Sequence, residues 1–258
     1  MTMHRTRRPQ FFYTTAPLPC PYLPGRTERK IVTELSGPTA ESLHDRLSRA
    51  GFRRSHNIAY SPVCPACRSC IPIRIVADLF RPGRTQRKLM RALAGVTAHR
   101  MPARASAEQF SLFQRYQQQR HQDGDMAAMG FYDYRAMVED TPISTGMVEF
   151  RGANGTLLGA CLTDWLSDGL SAVYSFYEPE MDGLGTLAIL WLVEEAQRTG
   201  LPYVYLGYWV PQSRKMAYKA SFRPAEVLRG GVWRAMDEES ASLEGSACSQ
   251  PQNLVSQP

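Results

Sequence analysis

The stretch that most limits what this chain can fold into is Tyr60-Ser-Pro-Val-Cys-Pro-Ala-Cys-Arg-Ser-Cys-Ile-Pro-Ile-Arg74, which sets Cys64, Cys67 and Cys70 at successive three-residue steps. A C-x-x-C pair extended by another x-x-C favours a short turn whose sulfurs converge on one metal ion or iron–sulfur cluster. Cys20, upstream in Pro17-Leu-Pro-Cys-Pro-Tyr-Leu-Pro-Gly25, would complete a tetrahedral shell of thiolates. Pro19, Pro21, Pro62, Pro65 and Pro72 restrict the surrounding backbone and lower the entropy of assembling such a site. The plainer alternative is that these thiols are buried packing residues. Disulfides are disfavoured, because Met1 to Cys20 is basic and has no apolar signal core. Cys161 sits in an apolar run and reads as core. Cys248 lies in a polar tail and reads as incidental.

The 258 residues, 43% hydrophobic, suffice for one large domain or two moderate ones. No apolar run reaches the roughly 20 residues of a membrane span, so the expectation is a soluble protein with no membrane partner. Charge is segregated. Residues 1–104 carry 19 Lys+Arg against 5 Asp+Glu, and residues 105–258 carry 11 against 19. A basic front against an acidic rear points to a polyanionic partner for the front. Arginine supplies 26 of the 30 cations, which suits phosphate recognition. A coding bias toward Arg accounts for the residue type but not for the segregation.

Local patterns describe an α+β protein. A basic cysteine-containing domain is expected over 1–104 and a second domain with a mixed, mainly antiparallel sheet over 105–236. A disordered tail rich in Ser, Gln and Glu follows over 237–258. Front strands are expected at 11–13, 26–34, 51–60 and 72–80, with helices at 39–50 and 84–95. Ser106-Ala-Glu-Gln109 is a capping box opening a helix to about His121. A short helix at 131–139 comes next. Asn154-Gly155 and Asp168-Gly169 are hairpin signals between strands at 145–151, 157–166 and 170–177. A helix over 184–200, a strand over 202–210, a short helix over 213–221 and one or two strands within 224–236 complete the chain. This order resembles the GNAT-type acyltransferases, in which strands flanking the long helix splay and the acyl donor lies in the gap. Asp182-Gly-Leu-Gly185 offers free N–H groups ahead of the helix. The full glycine pattern of a coenzyme A binder is missing, so no coenzyme A is expected.

A more specific resemblance rests on several ordered motifs. They are Pro19-Cys-Pro-Tyr-Leu-Pro-Gly-Arg26, Gly51-Phe-Arg-Arg-Ser55, the Cys64/Cys67/Cys70 loop, Arg120-His121, Tyr174-Ser-Phe-Tyr-Glu-Pro179, Leu184-Gly-Thr186, Tyr205-Leu-Gly-Tyr208 and Met216-x-Tyr-Lys219. Over about residues 10–236 the chain resembles the aminoacyl-tRNA–protein transferases, and in its compact length their bacterial branch, the aspartate/glutamate leucyltransferases. The resemblance implies transfer of leucine from leucyl-tRNA to proteins with N-terminal Asp or Glu, which marks them for degradation by the N-end rule in the cytoplasm. It implies a GNAT-like rear domain, and an iron–sulfur cluster or zinc at Cys20, Cys64, Cys67 and Cys70. Alternatives are arginyl-tRNA as donor, a coenzyme A-dependent N-acetyltransferase, and a nucleic-acid-binding module without catalysis.

The reaction would be aminolysis of an activated ester. It needs a neutral acceptor amine, donors for the oxyanion and a site for the acceptor's carboxylate. Lys215 and Lys219, the only lysines in the acidic rear, are spaced to share a helix face and are expected to bind that carboxylate. Arg120 and His121 are a second candidate pair for an anion. Tyr208 and Tyr218, with Tyr174, are candidates for proton handling, although strand tyrosines are usually packing residues. Arg26, Arg53, Arg54, Arg74, Arg87 and Lys88 are expected to track tRNA phosphates, with Arg84 and Arg91.

Overall fold

Apolar residues two apart build the sheets of this protein, and apolar residues three or four apart build the helices that cover them. The computed structural model describes residues 9–122 and 124–236. The segment expected to be a disordered tail lies outside the described residues. β1 (Tyr13–Thr14), β2 (Leu18–Pro19), β3 (Thr27–Glu28) and β4 (Lys30–Glu34) precede α1 (Ala40–Arg49). β5 (Arg53–Ser55), β6 (Ile58–Pro62) and β7 (Ile71–Val76) lead to α2 (Arg84–Ala92). β8 (Thr97–Pro102), α3 (Ala107–Arg120) and α4 (Phe131–Glu139) follow, then the meander β9 (Thr145–Arg151), β10 (Leu157–Trp165) and β11 (Gly169–Tyr177). α5 (Leu184–Thr199), β12 (Tyr203–Trp209), α6 (Arg214–Ala217), β13 (Ala225–Arg229) and β14 (Val232–Ala235) end the described chain.

The large sheet has the order β14-β13-β7-β12-β11-β10-β9-β8, and only its β11–β12 pair is parallel. It is therefore mixed and mainly antiparallel, in an α+β chain. The period of two separates its faces. Cys161 and Val148 pack with Leu190, Leu192 and Val193 of α5. Their neighbours Ala160, Leu162 and Met147 pack with Leu112 and Phe113 of α3 and with Met137 and Val138 of α4. The α3 start is the expected capping box: the Ser106 hydroxyl accepts from Gln109 N, and the Gln109 side chain accepts from Ser106 N, both at 3.1 Å.

A second sheet, β1-β4-β6-β5, packs with α1 around Leu35, Leu43, Leu47 and Ala59, while β2 and β3 form a separate pair. The stretch 51–60 is a hairpin rather than one strand, turning at His56 with φ +52°. The expected boundary at 104 does not divide the sheets. β7 and β8, both from the front part, belong to the large sheet, and β7 lies between β13 and β12. Ile71, Ile73 and Ile75 on β7 are all buried in the core beneath α5.

Candidate active site at the split between two strands

β11 and β12 pair only through Gly169↔Tyr203, Leu170↔Val204 and Ser171↔Tyr205. Beyond that point each keeps its other neighbour, β11 pairing with β10 and β12 with β7. Each ladder carries an irregularity at this level, between Leu162 and Thr163 on β10 and between Tyr205 and Gly207 on β12. Such bulges bend and twist a strand, so the two strands diverge and leave a gap.

Arg53 of β5 enters this gap. Its Nη2 donates to Ala172 O at 2.8 Å and Val173 O at 2.7 Å, both on β11. Across the gap its guanidinium lies against Gly207, where a Cβ would collide with it. Gly207 also has φ +74°, so two independent reasons exclude a side chain there. Lys219 is 7% exposed, and its Nζ donates to Tyr208 O at 2.7 Å. Burial first, and then the charge of Arg53, lowers the Lys219 pKa well below the usual lysine value.

Tyrosines surround the gap. Tyr208 is buried, and its hydroxyl donates to Gly51 O or Tyr60 O, each 3.1 Å away, which ties it to the front sheet. That is the geometry of a packing and bridging residue. Tyr218 is 48% exposed, yet its hydroxyl is surrounded enough that burial, then Tyr177, pushes its pKa up to about 12. It stays protonated near neutrality. Tyr174 accepts a hydrogen bond from Gln117 Nε2, and the Tyr116 and Tyr177 rings are 4.9 Å apart. Gly185 lets the Tyr177 ring rest on the first turn of α5, since a Cβ there would lie 2.9 Å from it.

His121 ends α3 at this rim, its ring 5.4 Å from that of Tyr116. Burial, then the charges of Lys215 and Arg120, lowers its pKa, so the imidazole is neutral near neutral pH. Arg120 donates to Pro179 O at 3.2 Å, beyond the end of β11. The structure does not place Lys215 and Lys219 on one face. α6 stops at Ala217 and tightens into a 3-10 turn over Tyr218–Ser221, so the four-residue spacing no longer stacks side chains. Lys215 is exposed beside His121, and Lys219 is buried beside Arg53.

The expected phosphate contacts divide. Arg54 is 4% exposed and bidentate to Asp164, at 2.8 and 2.7 Å. Arg74 is buried against Glu226, with its guanidinium 3.4 Å from the centre of the Tyr203 ring. Neither is open to a phosphate, and Arg53 faces the gap instead. Arg26 is partly buried beside the cysteine loop, where its side chain bonds Cys67. Arg84, Arg87, Lys88 and Arg91 are exposed on α2. The Leu89 side chain of α2 covers Gly183, which places this cationic helix beside the start of α5.

Cys20, Cys64, Cys67 and Cys70 are free thiols. Arg68 Nη1 pins their loop by donating to Cys64 O at 2.7 Å and Cys67 O at 3.0 Å. Burial, then the charges of Cys20, Cys67 and Cys64, pushes the Cys70 thiol up to about 12. The four sulfurs therefore share one electrostatic neighbourhood, whose mutual repulsion a cation would relieve. Among the described residues, no three His, Cys, Asp or Glu side chains have the convergence that holds a metal ion. The donor set fits a thiophilic metal in kind, and the arrangement is that of neighbouring thiols.

A basic helix leading to a split sheet with a protonated tyrosine and a neutral imidazole is suited to transferring an acyl group from a polyanionic donor. Residues 18–88 match the family model described as the N terminus of arginine-tRNA-protein transferase, and residues 108–229 the one described as its C terminus. The chain belongs to this family of aminoacyl-tRNA–protein transferases. Over 230 residues it is 63% identical to the aspartate/glutamate leucyltransferase of Paramagnetospirillum magneticum, covering 88% of this chain and 94% of that one. It is 63% identical over 233 residues to the protein of that name from Granulibacter bethesdensis, covering 90% and 87%. Against that from Gluconacetobacter diazotrophicus it is 59% identical over 247 residues, covering 95% of each.

Proposed function

We propose that this protein transfers leucine from leucyl-tRNA to the N-terminal Asp or Glu of acceptor proteins, marking them for N-end rule degradation in the cytoplasm. The observation that carries this reading is the 63% identity, over 94% of its length, with a relative named for that activity. The family model's own description favours a second donor, arginyl-tRNA.

The donor ester is already activated, so the protein's part is positioning and proton handling. The acceptor α-amine attacks the ester carbonyl carbon, and the bond to the terminal ribose oxygen of the tRNA breaks. Near pH 7 roughly a tenth of such an amine is unprotonated, given its reference pKa. Neutral His121 takes the proton that the amine releases and returns it to the departing ribose oxygen. Tyr218, held protonated, donates to the developing oxyanion. Lys215 and Arg120 make this rim cationic and add to burial in keeping the imidazole neutral. The α2 cations track the acceptor stem, and Leu89 against Gly183 directs its end toward Tyr177 and the gap.

The rear sheet is read as GNAT-like because its one parallel pair opens beside α5. Arg53 lying across that opening supports a chemistry without coenzyme A, whose pantetheine arm would need the same space. Cys20, Cys64, Cys67 and Cys70 would hold zinc or an iron–sulfur cluster. Bound there, it would stiffen the loop between β6 and β7 and take no part in transfer.

The test supplies radiolabelled leucyl-tRNA or arginyl-tRNA with peptides beginning in Asp, Glu, Arg or Ala. Leucine should pass to the Asp and Glu peptides. Transfer of arginine alone would assign the other donor, and transfer of neither would refute the reading.

A further inference from the structure

Arg53 and Lys219 lie against consecutive residues of one strand, and among the described residues neither has a carboxylate to pair with. The Arg53 guanidinium rests on Gly207, and Lys219 Nζ bonds the carbonyl of the next residue, Tyr208. Three elements bring them together: β5, the turn after α6, and β12 just past its last pairing with β11. Among the described residues neither has a carboxylate partner. One backbone carbonyl serves Lys219, although an ammonium has three protons to give. Arg53 commits Nη2 to two carbonyls, and among the described residues Nη1 and Nε have no hydrogen-bond acceptor. The charge of Arg53 opposes that of Lys219, and Cys70 of the thiol loop acts in the other direction and more weakly. A buried ammonium beside a half-buried guanidinium with no carboxylate partner is unfavourable, and an arriving anion reverses that balance.

We propose that Arg53 and Lys219 together hold the side-chain carboxylate of the acceptor's first residue. This rests on the reading of the chain as a transferase acting on acidic N-termini. One carboxylate oxygen meets the free edge of the guanidinium and the other the ammonium. A carboxylate on a slim side chain can reach a lysine this buried. A phosphodiester flanked by two riboses is too broad to follow it. The exposed Lys215 belongs to the rim with His121 and is not part of this pair.

The test uses full-length Lys219→Met and Arg53→Lys with leucyl-tRNA and matched peptides beginning in Asp or in Asn. Each variant should lose about 100-fold in kcat/KM for the Asp peptide. The Asn value and the affinity for leucyl-tRNA should stay within about twofold of wild type. An unchanged Asp-to-Asn ratio overturns the proposal. Weakened leucyl-tRNA binding in its place would make this a phosphate site, and loss of bound metal with the ratio intact would assign Lys219 to the thiols. If a variant acylates neither peptide, calorimetry decides. Lost Asp-peptide binding with tRNA binding intact supports the proposal, and retained binding refutes it. On the wild type, a succinyl-capped peptide, which keeps the carboxylate and lacks the amine, should compete with the Asp peptide. Its succinamoyl counterpart should not, and equal inhibition by the two refutes the proposal without any variant. If wild type moves no leucine to the Asp peptide, it is the function that fails, before this comparison begins.

Discussion

Arg53 and Arg54 are consecutive on β5 and meet opposite fates. Arg54 turns to Asp164, whose carboxylate also accepts from Thr145 Oγ1 at 2.8 Å and lies 3.6 Å from His44 Nε2. Its remaining Nη1 donates to His56 O at 2.7 Å. That closed unit joins the front sheet to β9 and β10 of the large sheet. Arg53 turns to the gap and finds only carbonyls. The pair teaches that a buried guanidinium with a matched carboxylate is part of the framework. One that meets only main-chain oxygens keeps donors for an arriving group. Period-two alternation decides which is which.

The hardest test of that contrast removes the carboxylate. Asp164→Asn should cost about 3–5 kcal/mol in unfolding free energy by leaving Arg54 buried and uncompensated. Arg53→Lys should leave the unfolding free energy within about 1 kcal/mol of wild type. Equal losses in urea titrations would erase the distinction. Next in size is His121→Asn, which should slow transfer by about 100-fold or more. The pH profile sharpens this. The neutral imidazole is the working form, so activity should fall as pH drops through its lowered pKa. The variant should lack that limb, and a profile identical to wild type would remove His121 from proton handling.

Smaller effects follow from His44 and α2. Burial first depresses the His44 pKa, partly opposed by Asp164. The unfolded chain then binds the extra proton more readily, so stability should be full above the ordinary imidazole range and decline as pH falls below it. His44→Asn should flatten the dependence of Tm on pH in that window, and an unaltered slope would contradict the assignment. Arg87 and Lys88 are exposed, a third way of using a cation. Replacing both with Ala should weaken leucyl-tRNA binding. It should also flatten the plot of log affinity against log salt by about 1.5 in slope, roughly two phosphate contacts. A slope equal to wild type would take the tRNA off α2.

Much of the framework was legible because its signals are local. The Ser106/Gln109 capping box gave the α3 start, and Asn154-Gly155 and Asp168-Gly169 gave the meander turns. β8 was not foreseen, because it is an edge strand with nearly every residue exposed and no alternation to read. Its place comes from pairing with β9. The charge changes at 104, but the large sheet takes β7 and β8 from before it, which charge alone does not reveal. The roles of Arg53, Arg54 and Arg74 were hidden, since their partners lie more than 100 residues away in sequence. Tyr177 stood within a quoted motif, but only the ring packed on Gly185 marks it as part of the cleft. Lys215 and Lys219 shared a face only on the assumption of a helix longer than α6 proved to be.

The most direct measurement is competitive. Purified protein and leucyl-tRNA are given an equimolar mixture of peptides that differ only in a first residue of Asp, Glu, Asn or Ala, and the products are read by mass spectrometry. The Asp and Glu peptides should each gain one leucine, the Asn peptide far less and the Ala peptide none. Leucine on none of them, or spread evenly over all four, would contradict an enzyme that reads an acidic N-terminus.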